Sequence, residues 1–216
     1  LLFGYGGLLS FGHALFIGIG AYTAAVATGP LGMRSLEAIL AAAIVVSVAA
    51  AVPIGLLCVR YTKIFFGMLT LSFGMLFHSF LIKFYALTGG DTGMAVKRPF
   101  LVGLDFGALP RVGFQTGPLY YYALVLAVLG ALLMWRIVGS PFGLHLMAQR
   151  DNARKAEFLG VSVRGVRLAA FVVSAAYAAV AGVLLAVRGG NADPEIAYWT
   201  HSGELVFLTV LGGAGH

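Results

Sequence analysis

Read for its apolar and polar positions, the chain divides into long apolar runs separated by short polar segments. Residues 36–59, 64–87, 119–138 and 168–187 are apolar runs whose few charged residues sit near the ends. At 1.5 Å rise per residue, about twenty residues cross the ~30 Å hydrocarbon core of a bilayer, so each run predicts one spanning helix. Residues 1–28 form a fifth apolar stretch without Lys, Arg, Asp or Glu, and residues 204–216 begin a sixth. The expected fold is all-α: a polytopic transmembrane helix bundle of about five spans plus a partial sixth, in one domain covering 1–216.

The first stretch differs from the others in its glycines, Gly4, Gly6, Gly7, Gly12, Gly18 and Gly20. They predict a short segment, a turn near Gly6 and Gly7, then a helix with a small-residue face at Gly18 and Ala21. Small faces let neighbouring helices approach closely. Irregular backbone is tolerated at membrane depth only where protein or a water-filled cavity covers it. Gly12, His13, Gly18 and Ala21 are therefore expected either to line a path or to pack a tight interior helix. Pro53 predicts a kink in the second span.

Among the polar segments, residues 140–167 carry the clearest pattern. Leu144, Met147 and Ala148 fall at helical spacing and make one short apolar face. Asp151 or Asn152 can cap a second helix over 153–159, with Ala153, Ala156, Phe158 and Leu159 as its apolar side chains. Gly160 stands where a helix-ending glycine with positive φ is expected. The segment reads as two short amphipathic helices whose apolar faces seek a partner, or as a basic loop that fixes topology and touches membrane lipid.

Charge sets the orientation. Five Lys and Arg (Arg150, Arg154, Lys155, Arg164, Arg167) lie in 140–167 against Asp151 and Glu157, which places that segment in the cytoplasm. Arg60 and Lys63 then also lie inside, and residues 29–35, 88–117 and 188–203 lie outside. Inside are eight basic and two acidic residues; outside are six of each. Tyr120, Tyr121 and Tyr122 form an interfacial belt, and Lys83 can snorkel.

Composition agrees with a membrane protein: 60% hydrophobic and 10% charged, against ~25% charged in soluble domains. The net charge of +6 is dispersed between spans and does not predict nucleic-acid binding. The single cysteine, Cys58, excludes an internal disulfide and a cysteine-cluster metal site. His13 and His78 lack a carboxylate or second ligand at helical spacing and read as hydrogen-bonded interior histidines. Glu204 is the one acidic candidate near a span for proton coupling, which disfavours a proton-driven carrier. No phosphate-binding GxxxxGK[ST] loop is present, and TGGDTG (residues 88–93) reads as a turn. No catalytic residue, cofactor or metal is expected. The opening LLFGYGG without an initiator Met, and the ending GGAGH in mid-run, predict an internal piece of a longer chain.

GYGGLLSFGHALFIGIGAYTAA (residues 4–25) and SPFGLHLMAQRDNARKAEFLGVSVRGVRLAAFVVSAAYAAVAG (residues 140–182) resemble the permease subunits of branched-chain amino acid importers of the ATP-binding-cassette type. LTGGDTG and FLTVLGGAGH are similar to the same family, so the resemblance runs through the chain. The family's Glu-Ala-Ala cytoplasmic motif with a downstream Gly is matched loosely, at Ala156, Glu157 and Gly160. The resemblance implies an inner-membrane transport subunit, with a second homologous permease, two cytoplasmic ATPase subunits and a periplasmic substrate-binding protein as partners. It also implies that residues 140–167 couple to an ATPase, through Arg150, Asp151, Arg154, Glu157, Phe158, Leu159 and Gly160. Relatives that carry urea or short-chain amides keep that substrate class open. From another class, a channel or facilitator without an ATPase is the alternative.

Overall fold

The computed structural model describes residues 1–61, 64–107 and 109–212. Thr62 and Lys63, assigned to the inner side, and the last four residues lie outside the described residues. The helices, in chain order, are α1 (His13–Thr28), α2 (Leu36–Cys58), α3 (Ile64–Lys83), a single turn α4 (Tyr85–Thr88), α5 (Arg111–Thr116), α6 (Pro118–Val138), α7 (Pro141–Phe158), α8 (Val163–Gly189) and α9 (Trp199–Leu211). Four stretches among the described residues are long and apolar enough to cross a membrane: α2, α3, the combined α5–α6 stretch Arg111–Val138, and α8. The fold is the all-α polytopic bundle expected.

α1 sits at its centre. It has 16 residues and an apolar sequence on every side, and 13 of them are buried. A helix apolar all round belongs inside other helices. It packs most extensively against α8, then α2. The α1–α8 contact is backbone to backbone: a Cβ on Gly20 would strike the Ala179 carbonyl, and one on Gly182 would strike the Ile17 carbonyl. The two helices run parallel: His13 lies by Ser174 at one end of the contact and Ala21 by Gly182 further along both helices. Gly18 and Ala21 do not share one face against one neighbour. Gly18 meets Ala197 and Phe77, whereas Ala21 lies by Gly182 of α8.

At roughly 24 Å, α1 is shorter than the bilayer core. It is preceded by residues 1–12, a set of turns with Gly7 at φ 63°, followed by extended chain. That is the broken segment the glycines predicted.

Two layers of apolar core fill the bundle. The inner layer joins Leu2, Leu8, Phe16, Phe66, Leu146 and Phe171, among others. Phe16, Phe66 and Phe171 meet edge to face with centroids 5.4 and 6.0 Å apart. The outer layer joins the end of α1 to Leu36, Ile39, Val183 and Phe114.

The three segments assigned to the outside converge on one end. Gly190 accepts from the Val96 N–H at 3.0 Å, Arg34 from the Phe100 N–H at 2.5 Å, and Thr28 Oγ1 from the Lys97 N–H at 3.2 Å. A two-residue antiparallel pairing, Met94 with Ala192 and Ala95 with Asn191, closes this cap. Gly89, Gly90 and Gly93 of the TGGDTG turn all have positive φ. Ser35 caps α2, its hydroxyl accepting from Ala38 N–H and donating to Glu37 at 2.7 Å. α2 continues as helix through Pro53.

Two boundaries depart from the expectation. α8 begins at Val163 rather than Leu168, so Arg164 and Arg167 lie on its first two turns instead of in the loop. α3 ends at Lys83, where Phe84 leaves helical geometry (φ −92°, ψ 59°) and α4 turns away.

Candidate functional site

Two regions stand out, one at mid-depth and one at the inner end. At mid-depth, His13 opens α1 with both ring nitrogens engaged. Nδ1 lies 2.8 Å from Ser10 Oγ and Nε2 lies 2.8 Å from Ser174 Oγ. Ser202, on α9, accepts the Ala14 N–H at 2.8 Å, satisfying one of the amides that the first turn of a helix leaves free. Ser10 and Ser202 are buried. These four side chains and Thr209 line a cleft of about 160 Å³, with Leu2, Leu8, Leu205 and Val206 among its apolar walls. Gly12 permits the turn into α1 by pressing on α3: a Cβ there would strike the Thr70 carbonyl.

His13 is thus a hydrogen-bonded interior histidine, as its sequence context indicated. His78 instead lies against the Tyr198 ring, centroids 4.9 Å apart. Among the described residues no group of three or more His, Cys, Asp or Glu is placed to hold a metal. Glu204 is exposed on α9 with His201 Nδ1 3.2 Å away.

At the inner end, α7 is two helices in one. Asn152 breaks it (φ −154°, ψ 96°) and caps the second piece, its Oδ1 accepting from Lys155 N–H at 3.0 Å. Gly160 ends that piece at φ 83°. The kinked pair and its glycine stop are as the sequence predicted, and Asn152 rather than Asp151 is the cap.

The first half of α7 is clamped to the bundle through the face opposite its exposed Leu144 and Ala148. Leu144 is 61% exposed and Ala148 is exposed, whereas Leu146 and Gln149 are buried. The reason is polar satisfaction. Gln149 donates to Gly6 O at 2.8 Å and accepts from Arg167 Nε at 2.7 Å, so a buried amide and a buried guanidinium complete each other. Arg150 donates to the Gly4 carbonyl. This clasp joins α7 to residues 1–12, which lead directly into His13.

The second half projects away. Ala156 is buried beneath it, while Phe158 and Leu159 are 89% and 82% exposed. Arg154, Asp151 and Glu157 are exposed around them.

Of the residues singled out from sequence, the structure gathers His13 into the mid-depth cluster and Arg150 into the clasp. Gly12, Gly18 and Ala21 pack three different neighbours. Ser174, Ser202, Gln149 and Arg167 were missed as a site. Ser174 carried a signal, since it and Tyr177 are the only polar side chains within 168–187, and intramembrane polar groups face the interior.

Four long apolar helices packed round a buried central helix define a multi-pass membrane protein. The family profile described as branched-chain amino acid transport system / permease component matches residues 1–216, and the chain belongs to that family. It is 32% identical over 229 aligned residues to the high-affinity branched-chain amino acid transport system permease proteins LivM of Escherichia coli K12 and of Salmonella typhimurium LT2. Each alignment covers 98% of this chain and 54% of the relative, so the chain spans about half the length of these curated relatives. It is also 35% identical over 91 residues to a probable ABC transporter permease protein, YphD of Escherichia coli K12, covering 42% of this chain and 27% of that one. No solved structure matches.

Proposed function

We propose that the chain belongs to a permease subunit in an ATP-binding-cassette importer that moves branched-chain amino acids across the inner membrane. Its partners are a second homologous permease, two cytoplasmic ATPases and a periplasmic substrate-binding protein. ATP hydrolysis belongs to the ATPases, and this chain supplies the path and its coupling.

The observation that carries this reading is the second half of α7. Two large apolar side chains, Phe158 and Leu159, stand almost fully exposed at the basic end of the bundle, beyond a kink and before a positive-φ glycine. Burying one such side chain against a partner is worth roughly 1.5–3 kcal/mol, while an exposed ion pair contributes about 0–1 kcal/mol. Phe158 and Leu159 would fill a groove on the ATPase, with Arg154, Asp151 and Glu157 orienting the contact. Arg150 would act from behind, through the clasp. An ATPase-independent channel would leave the apolar pair without a partner, and the same architecture serves a urea or short-amide importer with a different binding protein.

The test is the full-length permease complex reconstituted with saturating binding protein. Phe158→Ala and Leu159→Ala should weaken ATPase association more than Arg154→Ala does. Gly160→Val should insert but uncouple uptake from ATP hydrolysis, because a β-branched residue resists positive φ. Full association in both truncations, with full coupled uptake in Gly160→Val, would sink the reading.

A further inference from the structure

We propose that the clasp between α7 and residues 4–7 carries motion of the docking segment into the bundle. Gln149 and Arg150 hold the carbonyls of Gly6 and Gly4, and through them α7 pulls on the broken stretch that leads into α1. The proposal rests on the reading of α7 as the ATPase-docking segment and names the positioning residues that transmit from it.

The first half of α7 is built as a lever. It is pinned where it starts: Ser140 Oγ donates to Ile137 O at 2.6 Å, and a Cβ on Gly143 would strike the Val138 carbonyl. Gln149 and Arg150 lie beyond Gly143 on the same half-helix, about 9–10 Å along its axis. A tilt of about 10° about the pinned start would carry them roughly 1.7 Å, further than a hydrogen bond stretches. Either the bonds break or the residues they hold move too.

What they hold is backbone. Gln149 Nε2 donates to Gly6 O at 2.8 Å, while its Oε1 accepts from Arg167 Nε at 2.7 Å, so the amide is fixed from behind. Arg150 donates to Gly4 O, and its stem lies over Gly7, where a Cβ would come within 3.0 Å of Arg150 Cγ. Gly7 has φ 63°, so glycine is favoured there both for its dihedral and for the space.

From the clasp the chain runs along α3 to α1. A Cβ on Gly67 would meet the Leu9 carbonyl at 3.2 Å, Gly12 lies on the Thr70 carbonyl, and His13 opens α1. Residues 8–12 are not helical, whereas α8, the other route out of α7, is a continuous helix in backbone contact with α1. A few loop residues absorb dihedral change more readily than close-packed helices do. Displacement at Gly4 and Gly6 is thus taken up between Leu8 and Gly12, and it reaches the start of α1 at its contact with α3.

The experiment uses the full-length permease assembled with its ATPases and binding protein in proteoliposomes, with leucine as the probe. Arg150→Met keeps the stem over Gly7 and loses the bond to Gly4. Gln149→Glu keeps the acceptor for Arg167 and sets a carboxylate against the Gly6 carbonyl. Both should retain ATPase association and lower the leucine moved per ATP hydrolysed by about 2–10-fold, the range for one lost hydrogen bond. Both should also abolish an ATP-driven change in amide hydrogen exchange over residues 4–12 that the wild type shows. Arg150→Lys should restore coupling and the exchange response. Arg164→Met, which removes an exposed charge at the same end outside the clasp, should behave as wild type. Arg150 is exposed, so its variants keep the test decisive should Gln149→Glu fail to assemble. Wild-type coupling in Arg150→Met, an exchange response that survives its loss of coupling, or an equal loss in Arg150→Lys or Arg164→Met would overturn the clasp as transmitter. So would failure of Arg150→Met to hold the ATPases, which would make Arg150 a docking residue. A wild-type complex that captures no ATPase would instead overturn the docking reading itself.

Discussion

Replacing Gly182 tests the packing that centres the bundle. A Cβ there would lie on the Ile17 carbonyl oxygen, 2.8 Å from its carbon and 3.1 Å from the Ala21 nitrogen. Ordinary contact begins near 3.4 Å, so α1 and α8 must part by at least about 0.6 Å at the carbon, and by more at the oxygen. The obstacle is helix backbone, which cannot rotate away as a side chain can. Ala21, Ala175, Ala179 and Ala186 have no exposed surface, and they would be pulled from contact together. A gap of 0.5–1 Å forfeits about a quarter to a half of each contact's attraction. Overpacking of a filled interior costs about 1–3 kcal/mol. Gly182→Ala should therefore lower stability by about 1–3 kcal/mol despite alanine's better helix propensity, and Gly182→Val by more. Gly130→Ala on α6 is the control, because its Cβ would meet only the Tyr177 ring at 3.4 Å. There the helix-propensity gain should prevail, leaving stability equal or up to about 1 kcal/mol higher. The assay is reversible denaturation in mixed micelles, or thermal aggregation of the detergent-purified protein. Wild-type stability in Gly182→Ala, or an equal loss in Gly130→Ala, would refute the close α1–α8 crossing.

Gln149→Leu should destabilise the protein by about 2–4 kcal/mol, because it strands the Arg167 guanidinium and the Gly6 carbonyl together; Gln149→Glu, which keeps the acceptor for Arg167, should recover part of the loss in the same denaturation assay. For topology, single cysteines at Glu157 and Gln115 in a Cys58→Ser background should label from opposite sides of the membrane. Labelling of both by an impermeant reagent in intact cells would reverse or break the assigned orientation.

Much of the architecture was legible because it is local. Twenty apolar residues must be a helix in a bilayer, whatever surrounds them, since each backbone group needs an internal partner. Asn152 caps and Gly160 stops their helix through bonds and dihedrals within a few residues, so the kinked pair in α7 could be read in advance. The grouping of residues 29–35, 88–117 and 188–203 at one end followed from counting spans, although the short Met94–Ala192 pairing that ties them did not.

What the sequence could not assign was which faces meet. α1 is apolar on every side, so periodicity gives its rotation no preference, and Gly18 looks as good as Gly20. Only the assembled bundle places Gly20 and Gly182 at the backbone contact and sends Gly18 to Ala197. In α7 periodicity marked Leu144, Met147 and Ala148 as one apolar face but said nothing of which side chains hold the helix to the bundle. The structure turns Gln149 inward, because Gly6 and Arg167 are there to complete it. The mid-depth cleft depends on tertiary structure in the same way. Ser10 and His13, Ser174, and Ser202 are ordinary polar residues far apart in the sequence, and they meet because α1 begins between α8 and α9.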